Sequence, residues 1–354
     1  RPSLRGDIIL KDVFIDQDRL GDASISIDLQ DEILRLSGKQ GLDFKASYII
    51  GRGDFSASAV FDNLDLAPYF QIARYPDLSG TVTGEVQGSG NIHSLRDTRA
   101  SMNLKHLSVL FMDREIIAGD SLSAHLSGKD ISVPGIHLVL GEKGWVNIEG
   151  QGTLNEALSL RADGDIPLQV LDVFFEDLSD TSGKALISGQ LDLIDEKYVF
   201  RADLELVDIA FLVPYTDQKV HGINGHIAVT PEALTLKDIA GMSEKGRFDL
   251  SGTVGLREMM PEDIDLKLQA FSLPIRVPET MDLTADMTIA VKGTRDDTLM
   301  QGSVALLEGV YFRDVEVNLI TEAVSERPET RAPRKPVTLP YLRNMKLDIR
   351  VNRR

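Results

Sequence analysis

A proline-centred phrase recurs along this chain about every hundred residues, and each recurrence follows an alternating run. Asp165-Ile-Pro167-Leu-Gln-Val-Leu has a counterpart in Leu64-Asp-Leu-Ala-Pro68-Tyr-Phe and a weaker one in Phe271-Ser-Leu-Pro274-Ile. Pro68 and Pro167 are 99 positions apart, and Pro167 and Pro274 are 107 apart. The preceding runs are Phe55-Ser-Ala-Ser-Ala, Leu158-Ser-Leu-Arg-Ala and Ile264-Asp-Leu-Lys-Leu. A Ser-Gly pair opens the next run at Ser79 and Ser182, and Leu283-Thr-Ala takes that place in the third copy. Self-similarity at a fixed period predicts a stacked, elongated architecture whose function lies in a surface shared by the copies. The expected organisation is a partial preceding repeat over 1–22, repeats over 23–119, 120–218 and 219–317, a linker over 318–338, and the start of a further β segment over 339–354.

Within the copies nearly every apolar run alternates. Ser121-Leu-Ser-Ala-His-Leu-Ser, Phe200-Arg-Ala-Asp-Leu-Glu-Leu and Leu283-Thr-Ala-Asp-Met-Thr-Ile-Ala-Val are examples. Period two puts aliphatic side chains on one face of a strand and Ser, Thr, Asp, Glu and Lys on the other. Parallel strands covered on both faces would be continuously apolar, so this pattern predicts an antiparallel sheet with one wet face. Turn phrases such as Gly51-Arg-Gly53, Gly141-Glu-Lys-Gly144 and Ser243-Glu-Lys-Gly246 separate the runs and read as hairpin turns. Short helices are expected after Pro68 and Pro167, where proline suits the first helical turn. The second would carry a stripe of Val170, Leu171, Phe174, Phe175 and Leu178. Pro278 follows Pro274 too closely for a full helix in the third copy.

Composition narrows the function. Cysteine is absent, which excludes thiol catalysis and cysteine–metal sites. The net charge of −17 argues against nucleic acid as a partner and against wholesale adhesion to anionic lipid. From Asn318 to Arg354 nine Lys/Arg face four Asp/Glu, a balance of +5 that leaves −22 elsewhere. Glu322 to Pro336 holds three prolines and mixed charge, the composition of a linker. No stretch approaches the apolar length of a membrane span, and no signal peptide is evident. The chain reads as a piece of a longer protein.

The candidate polar sites have plain structural readings. The six histidines are scattered, and His221 and His226, five apart, belong on opposite faces of a regular strand. Gly88-Ser-Gly90 lacks the third glycine and following helix of a dinucleotide cradle. Arg5-Gly-Asp7 and Arg52-Gly-Asp54 spell an adhesion tripeptide but read as turns at strand starts. Asp203/Glu205 and Asp263/Asp265, two apart, belong to the solvent face rather than to an acid–base pair. No catalytic residue, metal or cofactor is expected.

The aliphatic face is the feature left to explain. A sandwich would bury it between two layers, whereas a chain that keeps adding strands curls one sheet so that this face lines a trough. Its expected lining is Phe55, Leu104, Ile148, Leu158, Leu160, Leu191, Leu193, Leu204, Leu206, Phe248, Leu250, Leu266, Leu268, Met287, Ile289, Val304 and Leu306. Such a trough suits acyl chains, at about 0.8 kcal/mol per buried methylene.

Gly80-Thr-Val-Thr-Gly-Glu-Val-Gln-Gly88, Gly150-Gln-Gly-Thr-Leu154, Leu250-Ser-Gly-Thr-Val-Gly-Leu256, Gly302-Ser-Val-Ala-Leu-Leu-Glu-Gly-Val310 and Leu339-Pro-Tyr-Leu-Arg-Asn-Met-Lys-Leu-Asp-Ile-Arg-Val351 resemble the repeating text of the TamB family, the translocation and assembly module component related to AsmA-like proteins. The resemblance covers almost the whole chain in phrases of low specificity, and it gains weight from their recurrence beside the proline segments. It implies an all-β, elongated, curled antiparallel sheet forming a U-shaped hydrophobic groove, or β-taco. It also implies a periplasmic location, with an inner-membrane anchor that this chain lacks, and an outer-membrane β-barrel partner of the TamA/BamA type. The expected function is non-enzymatic carriage of phospholipid acyl chains between the inner and outer membranes. The alternative is a scaffold that assembles outer-membrane barrel proteins by strand addition at an open edge. A structural stalk is the third reading.

Overall fold

A computed structural model describes residues 3–15, 18–39, 42–173, 180–194, 197–213, 218–257, 260–277, 281–294, 297–311 and 345–353. The expected linker over 318–338, the start of the following segment at 339–344, and Phe174, Phe175, Leu178 and Pro278 lie outside the described residues. The fold is all-β, with twenty strands assigned to one sheet. Two compact units divide the chain: residues 1–175 with 184–204, and residues 176–183 with 205–354.

The first unit contains β1 (Leu4–Ile15), β2 (Asp18–Gln30), β3 (Ile33–Lys39), β4 (Leu42–Ile49), β5 (Asp54–Asp65), α1 (Ala67–Ile72), β6 (Leu78–Asn91), β7 (Ser94–Phe111), β8 (Arg114–Ser127), β9 (Asp130–Leu140), β10 (Gly144–Thr153) and β11 (Ala157–Pro167). A 3-10 turn at Leu168–Val173 follows β11, then β12 (Ser182–Ile194), most of which belongs to this unit. From β1 to β12 each strand pairs antiparallel with the next. β13 (Lys197–Val213) is shared by the two units, with the division between Leu204 and Glu205.

In the second unit are β14 (Gln218–Val229), β15 (Ala233–Ser243), β16 (Gly246–Arg257), β17 (Met260–Val277), β18 (Met281–Thr294), β19 (Thr298–Tyr311) and β20 (Met345–Arg353). β14 through β19 again form an antiparallel meander. β20 departs from the expected pattern by pairing parallel to β19. A parallel neighbour requires a long connection, and residues 312–344 supply the length that a hairpin loop lacks.

The strands follow a six-strand rhythm. β2, β8 and β14 begin at Asp18, Arg114 and Gln218, and β4, β10 and β16 begin at Leu42, Gly144 and Gly246. In each copy a short hairpin (β3–β4, β9–β10, β15–β16) is flanked by two strands that run past its tip. Ser24 faces Lys39 at the end of β3, Ile117 faces Leu140 and Val220 faces Ser243, so each leading strand continues beyond its partner. The gap above each tip is filled differently. In the first copy α1 lies there, touching both β2 and β6. Its start is set by Pro68 and by the Asp65 carboxylate, whose Oδ1 accepts the Ala67 N–H at 2.9 Å. In the second the 3-10 turn after Pro167 takes the place, with the Gly141 N–H donating to the Ile116 carbonyl at 2.9 Å. Phe70 of α1 and Val173 of the 3-10 turn pack on one buried cluster of Leu78, Val109 and Ile116.

Among the described residues the third copy shows no helix, because β17 stays extended through Pro274 to Val277. The buried Gln218 side chain bridges the gap instead. Its Nε2 donates to the Pro274 carbonyl at 3.0 Å, and the Arg276 N–H donates to its Oε1 at 3.1 Å. One amide thereby supplies the donor and acceptor that a neighbouring strand would otherwise offer.

Close strand approach constrains several glycines of this unit, Gly252 among them. Gly252 has φ of +141°, and a Cβ there would collide with the backbone of Asp265 and Leu266 on β17. Gly252→Ala is expected to destabilise the protein by about 1–3 kcal/mol. Gly189→Ala meets only contacts at 3.7 Å or more and is expected to stay within about 0.5 kcal/mol of the parent. Urea midpoints of the two variants check the difference.

Candidate functional site

The aliphatic face can be followed strand by strand from the registers. In the first unit, Ile148 of β10 faces Ala162, which faces Gly189; Gly150 faces Leu160, which faces Leu191. Gly152 faces Leu158 in the next row, and Leu193 follows Leu191 on the same face of β12. These side chains form one patch, with Leu158 and Leu193 buried and Ile148, Leu160 and Leu191 half-buried. Phe55 and Leu104 are half-buried and stand on β5 and β7 of the same unit, away from that patch. Leu204 and Leu206 are half-buried on β13, on either side of the division between the units.

The second unit carries the more continuous face. One row runs Phe248, Ala270, Met287, Val304 across β16 to β19, and the next runs Leu250, Leu268, Ile289, Gly302. A third joins Gly252, Leu266, Val291 and Met300, and Leu273, Ala285 and Leu306 make a fourth. All eight expected residues on β16 to β19 therefore lie together. Ala270 and Ala285 sit 1% and 0% exposed at the centre, because their neighbours close over small side chains. Around them Phe248, Leu250, Leu266, Leu268, Ile289, Val304 and Leu306 stay half-buried. The described strands of this unit belong to one sheet, with no second sheet among them. The expected lining omits Ala270, Ala285, Leu273, Val291 and Met300; of these, Leu273 alone is displaced by a change of parity, after Ser272.

That change comes from bulges at positive φ. Asn63, Asp208 and Ser272 have φ near +50°, a conformation these short polar residues tolerate. Each N–H is caught by a side chain of the next strand: Asn63 by Thr83 Oγ1 at 3.1 Å, Asp208 by Asn224 Oδ1 at 3.0 Å, Ser272 by Asp286 Oδ1 at 2.8 Å. A bulge at Gly222 also corrects the expectation for two histidines. His221 faces Met242 and His226 faces Lys237, both on the hydrophilic side, since the extra residue shifts the alternation by one. No group of three metal-ligating side chains occurs among the described residues.

The opposite face is laced by cross-strand polar pairs. His106 Nδ1 lies 2.8 Å from Asp120 Oδ1, His137 Nδ1 lies 2.6 Å from Asn147 Oδ1, and Lys292 pairs with Asp265 at 2.9 Å. Arg247 stacks over the Phe271 ring at 4.7 Å and shields an aromatic that faces solvent. Asp203, Glu205, Asp263 and Asp265 are all exposed, as a solvated face requires. Asp163 is held below the usual carboxylate range by its hydrogen bond from Arg161 and then by that from Ser188. Asp192 is held low by Gln190 and then by Ser159. Both carboxyls are depressed in the folded state, so the unfolded chain binds more protons near pH 4. Their contribution is complete above about pH 4 and is lost as pH falls through the lower folded values. Urea midpoints are expected to be flat from about pH 5 to 7 and to decline below about pH 4, with a shallower decline in Asp163→Asn/Asp192→Asn.

No helix among the described residues is long and apolar enough to cross a membrane. Comparison of the chain with protein-family models, curated proteins and solved structures gives no match.

Proposed function

We propose that the aliphatic face is a lipid-bearing surface, and that this chain is part of a TamB-like periplasmic protein that carries phospholipid acyl chains between two membranes. The observation that supports this reading is the face on β16 to β19: a continuous field of half-buried Leu, Ile, Val, Met and Phe side chains, four strands wide, with no second sheet among the described strands of its unit. A soluble β domain buries such a face against a second layer. An acyl chain laid on it would gain about 0.8 kcal/mol for each methylene removed from water, with no need for a unique partner. Passage is then partition and sliding, without a bond made or broken.

A photo-crosslinking residue placed at Leu250, on the aliphatic face, is expected to capture phospholipid when the protein is expressed in a diderm cell. The same residue at Ser251, which points to the other face, is expected to capture at least about tenfold less, the ratio set by 1.4 kcal/mol of preferential contact. Protein adducts at Leu250 without lipid would favour the alternative role in barrel assembly with a TamA/BamA-type partner.

A further inference from the structure

The hydrophilic face of the first unit holds a feature that acyl carriage does not use. Across β3 to β7 it forms a hollow of about 770 Å³ lined by Arg35, Ser37, Lys45, Ser47, Ser56, Ser58, Gln87, Ser89, Arg99 and Ser101, with the backbone of Leu36, Ala46, Ala57, Gly88 and Ala100 between them. The registers resolve the lining into two rows. Arg35 faces Ser47, Ser47 faces Ser56, Ser56 faces Ser89 and Ser89 faces Arg99. Beside it run Ser37, Lys45, Ser58, Gln87 and Ser101. The hollow follows from side-chain length: short hydroxyls make the floor, and the longer Arg, Lys and Gln side chains stand around it.

Its charge is opposite to that of the molecule. The chain carries 55 acidic against 38 Lys and Arg residues, yet the lining holds three cations and no carboxylate. Some cations elsewhere are paired, as Lys129 is with Glu156, Lys184 with Asp165, and Lys219 with Asp180; the hollow differs in gathering three cations around one floor. Among the described residues, Arg35, Lys45 and Arg99 have no ion-pair partner. Asp28 stands across from Arg35 on β2 without pairing to it. Unpaired guanidinium groups with free forks suit phosphate oxygens, and a hydroxyl floor suits a polyol. Ser47 and Ser56 already share a hydrogen bond at 2.8 Å, which orients the floor. Arg35 and Arg99 are four strand spacings apart, roughly 19 Å at about 4.8 Å each, a span for an extended ligand rather than a single compact ion.

We propose that this hollow binds a phosphorylated polyol, its phosphates on Arg35, Lys45 and Arg99 and its hydroxyls on the serine floor. The ligand chemistry occurs both in a phosphoglycerol lipid head group and in a free glycerol phosphate chain. Within the first unit the site lies on the face opposite that unit's own aliphatic side chains, so the two proposals stand or fall separately.

The test titrates the purified chain at about 0.15 M salt, where charges more than about 8 Å away are largely screened. The probes are free poly(glycerol phosphate), phosphatidylglycerol vesicles and phosphatidylcholine vesicles. The Arg35→Gln/Lys45→Gln/Arg99→Gln variant is expected to bind at least tenfold more weakly than the parent, and Lys292→Gln to bind unchanged. Binding of the free polymer, lost in the triple variant, supports the site with a soluble ligand. Binding of phosphatidylglycerol vesicles alone, equally lost, supports it with a head group as the source. No binding of either, equal binding of phosphatidylcholine vesicles, or binding indifferent to the triple substitution overturns it. If the triple variant folds poorly, Arg35→Lys/Arg99→Lys keeps the charge and removes the forks, and a loss of at least threefold is expected from that change alone. Lipid capture at Leu250 is expected to be unchanged in all of these variants.

Discussion

Replacing Gln218 with leucine is expected to lower the unfolding free energy by about 2–4 kcal/mol. The side chain is buried and holds two backbone groups of β17, the Pro274 carbonyl and the Arg276 N–H, where the strand has run past the tip of the β15–β16 hairpin. Leucine fills a similar volume but satisfies neither, and a buried polar group left without a partner costs about 1–3 kcal/mol. Gln218→Glu keeps an acceptor for the Arg276 N–H but sets a buried carboxylate oxygen against the Pro274 carbonyl, so it should also destabilise, and less so as pH falls and the carboxyl regains a proton to donate. Urea denaturation measures the change, and faster amide exchange at Arg276 would place it at this rim. A leucine variant that unfolds at the parental urea concentration, with unchanged exchange at Arg276, would remove the bridge from the account of the fold.

Leu268→Asp is expected to reduce phospholipid capture at Leu250 by tenfold or more, whereas Lys267→Asp should leave it within about twofold of the parent. Leu268 stands between Leu250 and Ile289 on the aliphatic face, and Lys267 stands between Ser251 and Ala290 on the other. A carboxylate at the first position interrupts the apolar path and removes about 1.5–3 kcal/mol of side-chain burial, and about 1.4 kcal/mol already corresponds to tenfold in occupancy. Because Leu268 is only half-buried, the introduced charge keeps access to water and the sheet should still form. Two adjacent residues thus separate a face-specific effect from a general effect of added negative charge. Equal losses from both substitutions would count against the acyl surface.

The strands and their faces were legible from the alternation, because period two is a direct consequence of backbone geometry. Phe248, Leu250, Leu266, Leu268, Met287, Ile289, Val304 and Leu306 could be assigned to one face before any register was known. The bulges at Asn63, Asp208, Gly222 and Ser272 were not legible, since one inserted residue changes parity while leaving composition unaltered. This is why His221 and His226 were assigned to opposite faces. The cationic hollow was equally hidden: Arg35, Lys45 and Arg99 are spread over 65 positions, and only the registers of β3 to β7 bring them around one floor. The Gln218 bridge joins residues 56 and 58 positions apart and has no local signature.

Six is an even number, and that has a consequence for how such a chain can lengthen. After an even count of antiparallel strands the polypeptide travels in its original direction, so a duplicated block can be spliced in without inverting anything downstream. Insertion of one strand would reverse every later hairpin and send each gap-filling segment to the wrong end of its neighbours. Growth by whole blocks is therefore the inexpensive route in structural terms, and variation in chain length between relatives should come in steps of about a hundred residues.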